Sequence, residues 1–456
     1  MSLFRQVLIS VLILFLLLFS SGCEQKNKIL TLDNTTNNDK KITIRFSSSW
    51  AGTDVKVDTL NQILASFMKE NPDINIINES LSGGDYLFKL KTDFVSGNEP
   101  DVFAIRPGKN ISVLIASNKI VDLTPTLRED PEWVSSFDKS VWNYVTQNDK
   151  IYGIPLEIFY QCMYVNTDLF RKYNVKIPET YTELKSAIET FKSNGVVPIA
   201  YGARSESNLI FQNIIASLGG KSEVETPYKN NEINSCYADA VTYFKELYDL
   251  GAFPQNIFYL DQRDCDKLFL DKNAAMLVGK SDFIGEINKR ITQMIQSDGY
   301  VSTDFEKNIE MVTFPAIESG KGDPTSIIYG LGAGTFYVSN NAFGNSEKRD
   351  AVIRLLKFIT SEKTVNTFID QTMMRCSIKF FNNNHYYSGL MLRGWNLVDS
   401  TKELILPPES FFDKSVWEEM IVSRLPYILE GKLDSKSFWL DIAQSTVLSA
   451  NSKPKD

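Results

Sequence analysis

The chain has 456 residues, and its 56 Asp and Glu against 48 Lys and Arg give a formal net charge of −8. No basic run appears, so nucleic acid is excluded as a partner, because binding it needs Lys and Arg to neutralise phosphates. Five scattered cysteines without a C-x-x-C pair and a single histidine, His385, argue against His-rich metal sites and Ser-His-Asp catalysis. No metal and no cofactor is expected.

The N-terminus reads as an export signal. Arg5 precedes an apolar run from Val7 to Phe19, about 13 residues where a comfortable membrane span needs roughly 20. Ser20, Ser21, Gly22 and Cys23 follow. Small residues let a peptidase close on an extended backbone, and the exposed thiol can then take lipid. The motif resembles the bacterial lipobox, with Ser20 where Leu usually stands. Residues 1–22 are therefore expected to be a signal peptide and Cys23 the lipidation site, with an uncleaved N-terminal anchor as the alternative. Residues 23–41 are polar and rich in Asn, Lys and Thr, too poor in apolar surface to fold, and read as a flexible tether. The expected location is the outer face of the bacterial cytoplasmic membrane.

About 415 residues remain, enough for two lobes. Strand alternation over 41–46 leads into a Ser-rich loop and an amphipathic helix near 55–71 that Pro72 ends. A strand at 74–77, a helix at 86–96 and an apolar strand at 101–105 complete a first α/β run. After an irregular, partly helical stretch come strands at 150–155 and 162–166. Helices near 168–173, 182–194, 208–217, 236–250, 263–270 and 284–296 alternate with strands at 197–201, 274–278 and 310–315. The glycine-rich Gly330-Leu331-Gly332-Ala333-Gly334-Thr335 precedes a strand at 336–339. Because no helix follows and Lys is missing, it is not a phosphate loop. Helices at 348–360, 362–371, 416–430 and 438–448 close the chain. Cys162, Cys236, Cys265 and Cys376 read as small buried hydrophobes, although two disulfides outside the cell are open to them.

Several segments, in order, carry a family resemblance. Ser96-Gly97-Asn98-Glu99-Pro100-Asp101-Val102 is one, and Tyr152-Gly153-Ile154-Pro155 with Tyr164-Val165-Asn166-Thr167-Asp168-Leu169-Phe170 another. Ile177-Pro178-Glu179-Thr180-Tyr181-Thr182-Glu183-Leu184, Ala274-Ala275-Met276-Leu277-Val278-Gly279 and the helix within 345–360 complete the series. Together they resemble the maltose- and multiple-sugar-binding group of extracellular solute-binding proteins of ABC importers (family 1). The resemblance implies an α/β, two-lobed, periplasmic-binding-protein-like (type II) fold, each lobe a mainly parallel sheet flanked by helices, with a hinge between. One lobe would hold 42–155 plus 310–335, the other 156–309 plus 336–456. It further implies a monomeric, non-enzymatic receptor that delivers a carbohydrate to ABC permease subunits.

A sugar site calls for aromatic platforms and for carboxylates, amides and Arg that hydrogen-bond in pairs, on loops at strand C-termini. Trp50, beside Ser47-Ser48-Ser49 and Ala51-Gly52, sits in such a loop. Asp85, with an N-cap as its plainer role, and Arg106, with a structural ion pair as its own, are further candidates. Glu157 and Tyr160 follow the first crossing strand, where the family often contacts ligand. Asp282 and Phe283 stand where the family often has a cleft Trp. Tyr329, Arg375 and Trp395 complete the candidate set, while Trp133, Trp142, Trp417 and Trp439 read as packing residues, with Trp417 keeping some claim by its place in the family.

Two other readings stand beside the sugar receptor. The same fold can bind a polyamine, a peptide or an iron chelate. A secreted glycoside hydrolase needs only two suitably spaced carboxylates, which arise by chance among 56 acids. No segment places an acid in a recognisable catalytic frame.

Overall fold

The structure, a computed structural model, describes residues 41–204, 208–229, 232–298, 303–379, 388–413 and 416–442. The export segment, Cys23, the tether to residue 40 and His385 lie outside the described residues. The strands of its two principal sheets are, in chain order, β1 (Ile42–Ser47), β2 (Ile74–Asn78), β3 (Val102–Ala104), β4 (Gly153–Pro155), β5 (Glu157–Asn166) and β6 (Val197–Ala200). They continue with β7 (Ala274–Lys280), β8 (Ile309–Val312), β9 (Ile327–Leu331), β10 (Thr335–Val338), β11 (Arg375–Cys376) and β12 (Leu404–Ile405).

The first sheet has the order β2-β1-β3-β10-β4. β1 pairs in parallel with β2 and β3, and β10 runs antiparallel to both β3 and β4. Ile44 and Phe46 are fully buried on β1, and helix α1 (Val57–Glu70) covers them with Leu60, Ile63, Leu64 and Phe67. That spacing of apolar residues is the stripe a 3.6-residue period requires. The helix stops at Asn71, before Pro72, because a residue preceding proline is pushed out of the α region. Helix α2 (Gly83–Ser96) ends on Gly97 at φ 73°, a left-handed cap.

The second sheet is built on β5, ten residues that are all buried. One edge of β5 pairs with β7 at 161–165 and with β11 at 157–158, both antiparallel. The other pairs with β8 at 163–166 and with β9 at 158–160. β6 lies parallel to β7, and β12 parallel to β9. This two-sheet α/β arrangement is the two-lobed fold expected from the sequence.

Three expectations need correction. Neither sheet is mainly parallel: two of the four strand pairings of the first sheet and four of the six of the second are antiparallel. The division that gave 310–335 to the first lobe and 336–456 to the second does not match the strands. β8 and β9 belong to the second sheet, whereas β10 belongs to the first. The following helices α3 (Ser346–Ile359) and α4 (Glu362–Thr372) also pack on first-lobe elements, α3 on β1 and α4 on α1. The chain therefore crosses back at residues 331–335. The single helix expected over 416–430 is broken into a π-helical turn (Val416–Ile421), a 3-10 turn (Val422–Arg424) and an α-turn (Leu425–Leu429). Pro426 explains the break, since it lacks the N–H an interior helical residue donates. Cys162, Cys236, Cys265 and Cys376 are buried and unbridged, small residues among apolar neighbours.

Candidate functional site

A cavity of about 480 Å³ opens at the C-terminal ends of strands from both sheets, where open α/β sheets place ligands. Thr53, Asp54, Val55 and Lys56, on the loop after β1, form one wall. Arg204, Asp261, Gln262, Arg263 and Asp266 form part of the other, with Lys280 at the end of β7 and Asp282, Phe283 and Glu286 beyond it. Helix α5 (Gln262–Leu270) is held at its start by a capping box between Asp261 and Asp264. That cap fixes the first turn, from which Gln262, Arg263 and Asp266 reach the cavity. Gln262 Nε2 donates to Asp266 Oδ1 at 2.9 Å. Burial, reinforced by the negative charges of Asp282, Glu286 and Asp261, pushes the Asp266 carboxyl up to about 7.

A second cavity of about 360 Å³ meets the first at Lys280, which lines both. First-lobe residues 105–110 and the start of α2 face Glu409, Ser410, Phe412 and Trp417 across it. Arg106 Nη1 donates to Glu409 Oε1 at 2.6 Å, while Gln212 Nε2 donates to Glu409 Oε2 at 3.2 Å. The Phe159 ring carries the Arg106 guanidinium 4.7 Å from its centroid and the Lys280 ammonium 5.7 Å away. Burial, with Arg106 close by, lowers the Lys280 pKa.

The structure gathers three of the sequence-derived candidates around these cavities: Asp282 and Phe283 at the first, Arg106 at the second. Phe283 offers little open face. It is 5% exposed and packs edge-on against Tyr164 with centroids 5.0 Å apart. Trp50 is in the core instead of on the cavity wall, 2% exposed between Phe336 and Phe368. Its serine-rich flanks misled, because distant residues supply its apolar partners. Glu157, Tyr160 and Tyr329 are buried on the pairing strands β5 and β9. Asp85 is exposed in the first turn of α2, outside both cavity linings. Arg375 stacks on Trp395 at 5.7 Å, away from the cavities. Trp133 and Trp142 pack against the first core cluster, and Trp417 and Trp439 lie in the second; Trp417 also lines the second cavity.

Sequence reasoning missed Asp54, Lys56, Arg204, Asp261, Gln262, Asp266, Lys280 and Glu409. For Asp54 and Lys280 a signal was present: Asp54 lies on the loop after β1 and Lys280 ends β7.

A family described as bacterial extracellular solute-binding protein matches residues 53–366. An uncharacterized ABC transporter extracellular-binding protein of Pyrococcus horikoshii is 24% identical over 242 residues, 51% of this chain and 54% of that protein. The multiple sugar-binding protein of Streptococcus mutans is 26% identical over 161 residues, 35% of this chain and 36% of that one. The chain thus spans about half, or less, of the length of these curated relatives. A structure solved in work on xylan utilization by the thermophilic bacterium Caldanaerobius polysaccharolyticus superposes with a TM-score of 0.74 at 25% identity, covering 89% of this chain and 100% of that one.

Proposed function

The chain belongs to the family of bacterial extracellular solute-binding proteins, and from that premise we propose that it captures a carbohydrate between its lobes and delivers it to the permease of an ABC importer. The observation that carries this reading is the polar wall shared by the two lobes. Asp54 and Lys56 come from one, and Arg204, Gln262, Arg263 and Asp282 from the other. Carboxylates, amides and guanidinium groups suit the paired donors and acceptors of sugar hydroxyls. The relatives support the same class, one a multiple sugar-binding protein and one a structure from work on xylan utilization. Contacts contributed by both lobes give a ligand differential affinity for the closed state, which closure requires. The role is capture and release, not turnover.

In this reading a lipid on Cys23 keeps the receptor near its permease and raises the local concentration that weak docking needs. Labelled-palmitate incorporation into wild type but not Cys23→Ala is the expected result, and label in both would remove the anchor.

One observation favours a second solute class. Asp54, Asp261, Asp266, Asp282 and Glu286 place five carboxylates around the first cavity, a lining that also suits a polyamine. A calorimetric comparison of xylotetraose and raffinose with spermidine separates the two readings. Heat with a sugar supports the first, and heat with spermidine alone supports the second.

A further inference from the structure

Lys56 stands at the N-terminal boundary of α1, makes no capping hydrogen bond there, and carries the charge a helix N-terminus disfavours. It is nonetheless buried, at 8% exposed. Helix stability does not account for it. Its ammonium lies 3.3 Å from Glu157 Oε1, 3.6 Å from Asp54 Oδ1 and 5.4 Å from the centroid of the Trp50 ring. Burial works against the charge, but Glu157, Asp54 and Asp282 outweigh it and hold the ammonium above its ordinary pKa.

Glu157 in turn ties the crossing strands together. Its Oε2 accepts the Gly334 N–H at 2.8 Å. Its main-chain N–H donates to Gly334 O at 3.2 Å, and its carbonyl accepts from Gly332 N–H at 2.7 Å. Residues 155–157 and 331–335 are two of the places where the chain passes between the sheets, a third lying between β10 and β11, so one side chain links two passages. The glycines serve this contact. A Cβ at Gly332 would lie 2.3 Å from the Glu157 carboxylate, and one at Gly334 would lie 2.6 Å from the Trp50 ring.

Lys56 therefore touches the cavity with one part of its surroundings and the hinge with the other. We propose that Lys56 is a positioning residue through which occupancy of the cavity reaches the hinge. Asp54 and Glu157 are its ion-pair partners, and an ammonium with three donors can also reach a ligand oxygen in the cavity that Lys56 lines. A ligand held there fixes Lys56 against Glu157 and stiffens the Glu157–Gly334 crossing. The inference rests on the cavity being the solute site.

Hydrogen exchange on the full chain, followed in peptides covering 153–158 and 331–336, tests it. Without ligand, Lys56→Met is expected to exchange these amides about tenfold faster than wild type, and Lys56→Arg to restore the rate; equal rates in Lys56→Met and wild type would overturn the proposal. Saturating xylotetraose or raffinose is expected to slow the same amides in wild type and Lys56→Arg, but not in saturated Lys56→Met. Equal slowing in Lys56→Met would reduce Lys56 to a ligand contact. Should neither sugar bind wild type, the carbohydrate reading fails while the ligand-free comparison still decides the role of Lys56. If Lys56→Met does not fold, Glu157→Gln, which keeps an acceptor for Gly334 N–H but removes the charge, is read the same way.

Discussion

Arg106 and Glu409 meet at 2.6 Å across the second cavity, one from the loop after β3 and the other from the segment after β12. A second pair, Lys109 with Asp413 at 2.6 Å, spans the same gap. These contacts join the lobes directly through protein side chains. Both pairs reach solvent, so each stabilises by about 0.5–1 kcal/mol and is screened by salt. Arg106→Ala is expected to shift the ligand-free protein toward the open state by a few-fold, an effect that fades at high salt. Small-angle scattering at two ionic strengths reads it. A radius of gyration unchanged at both would leave the pair without a role in closure.

Trp50→Ala removes a buried indole packed on Phe336, Phe368 and Gly334. Loss of transfer energy plus a residual cavity is expected to cost about 3–5 kcal/mol. Thermal melting measures this directly. A variant as stable as wild type would mean that the ring does not hold the core together.

Gly334→Ala drives a methyl into the Trp50 ring and toward Glu157 Cβ, 2.6 and 2.9 Å from the new atom. Crowding of this kind typically costs about 1–3 kcal/mol. The crowding is expected at Gly334 alone; Gly195→Ala, where no heavy atom lies within 4 Å of an added Cβ, is expected to lose only the strain of its positive φ of 73°, about 1 kcal/mol. Chemical denaturation of the two alanine variants compares them.

Asp266 gives the cleft a pH dependence. Its carboxyl is raised to about 7 by burial and neighbouring acids, so the folded state binds a proton that the unfolded state has already released. This contribution is complete below the unfolded value near pH 4 and is lost as pH rises to about 7. Asp266→Asn is expected to abolish that loss, about 1–2 kcal/mol once the shift is discounted for water in the cleft. Melting temperatures at pH 5 and pH 8 provide the comparison. A wild-type decline between them no larger than the variant's would contradict the assignment.

The two-lobed fold was legible because its cues are local and periodic: the strand-helix alternation, the stripe of Leu60, Ile63, Leu64 and Phe67, and the stop at Pro72. Arg106 was legible for a related reason, since a rule about strand ends needs only the strand, while Asp282 and Phe283 came from the family resemblance. Trp50 was not. Its burial depends on Phe368, more than three hundred positions away, while its neighbours are serines and glycine. Lys56 was hidden by the reverse effect, a charged residue opening an amphipathic helix that looks solvated until Glu157 is seen beside it. The crossing at 331–335 was expected at 335/336 but in the opposite direction, because a strand pattern does not tell which sheet β8, β9 and β10 join.

The central claim is that the two-lobed cavity takes a carbohydrate. Titration calorimetry of the full chain with xylotetraose, raffinose, maltotriose and spermidine tests it most directly. Binding of at least one oligosaccharide is expected, weakened in Asp282→Ala, together with a stability gain of about 2.7 kcal/mol at a hundredfold excess over Kd. Heat with spermidine alone, and none with any sugar, would contradict it.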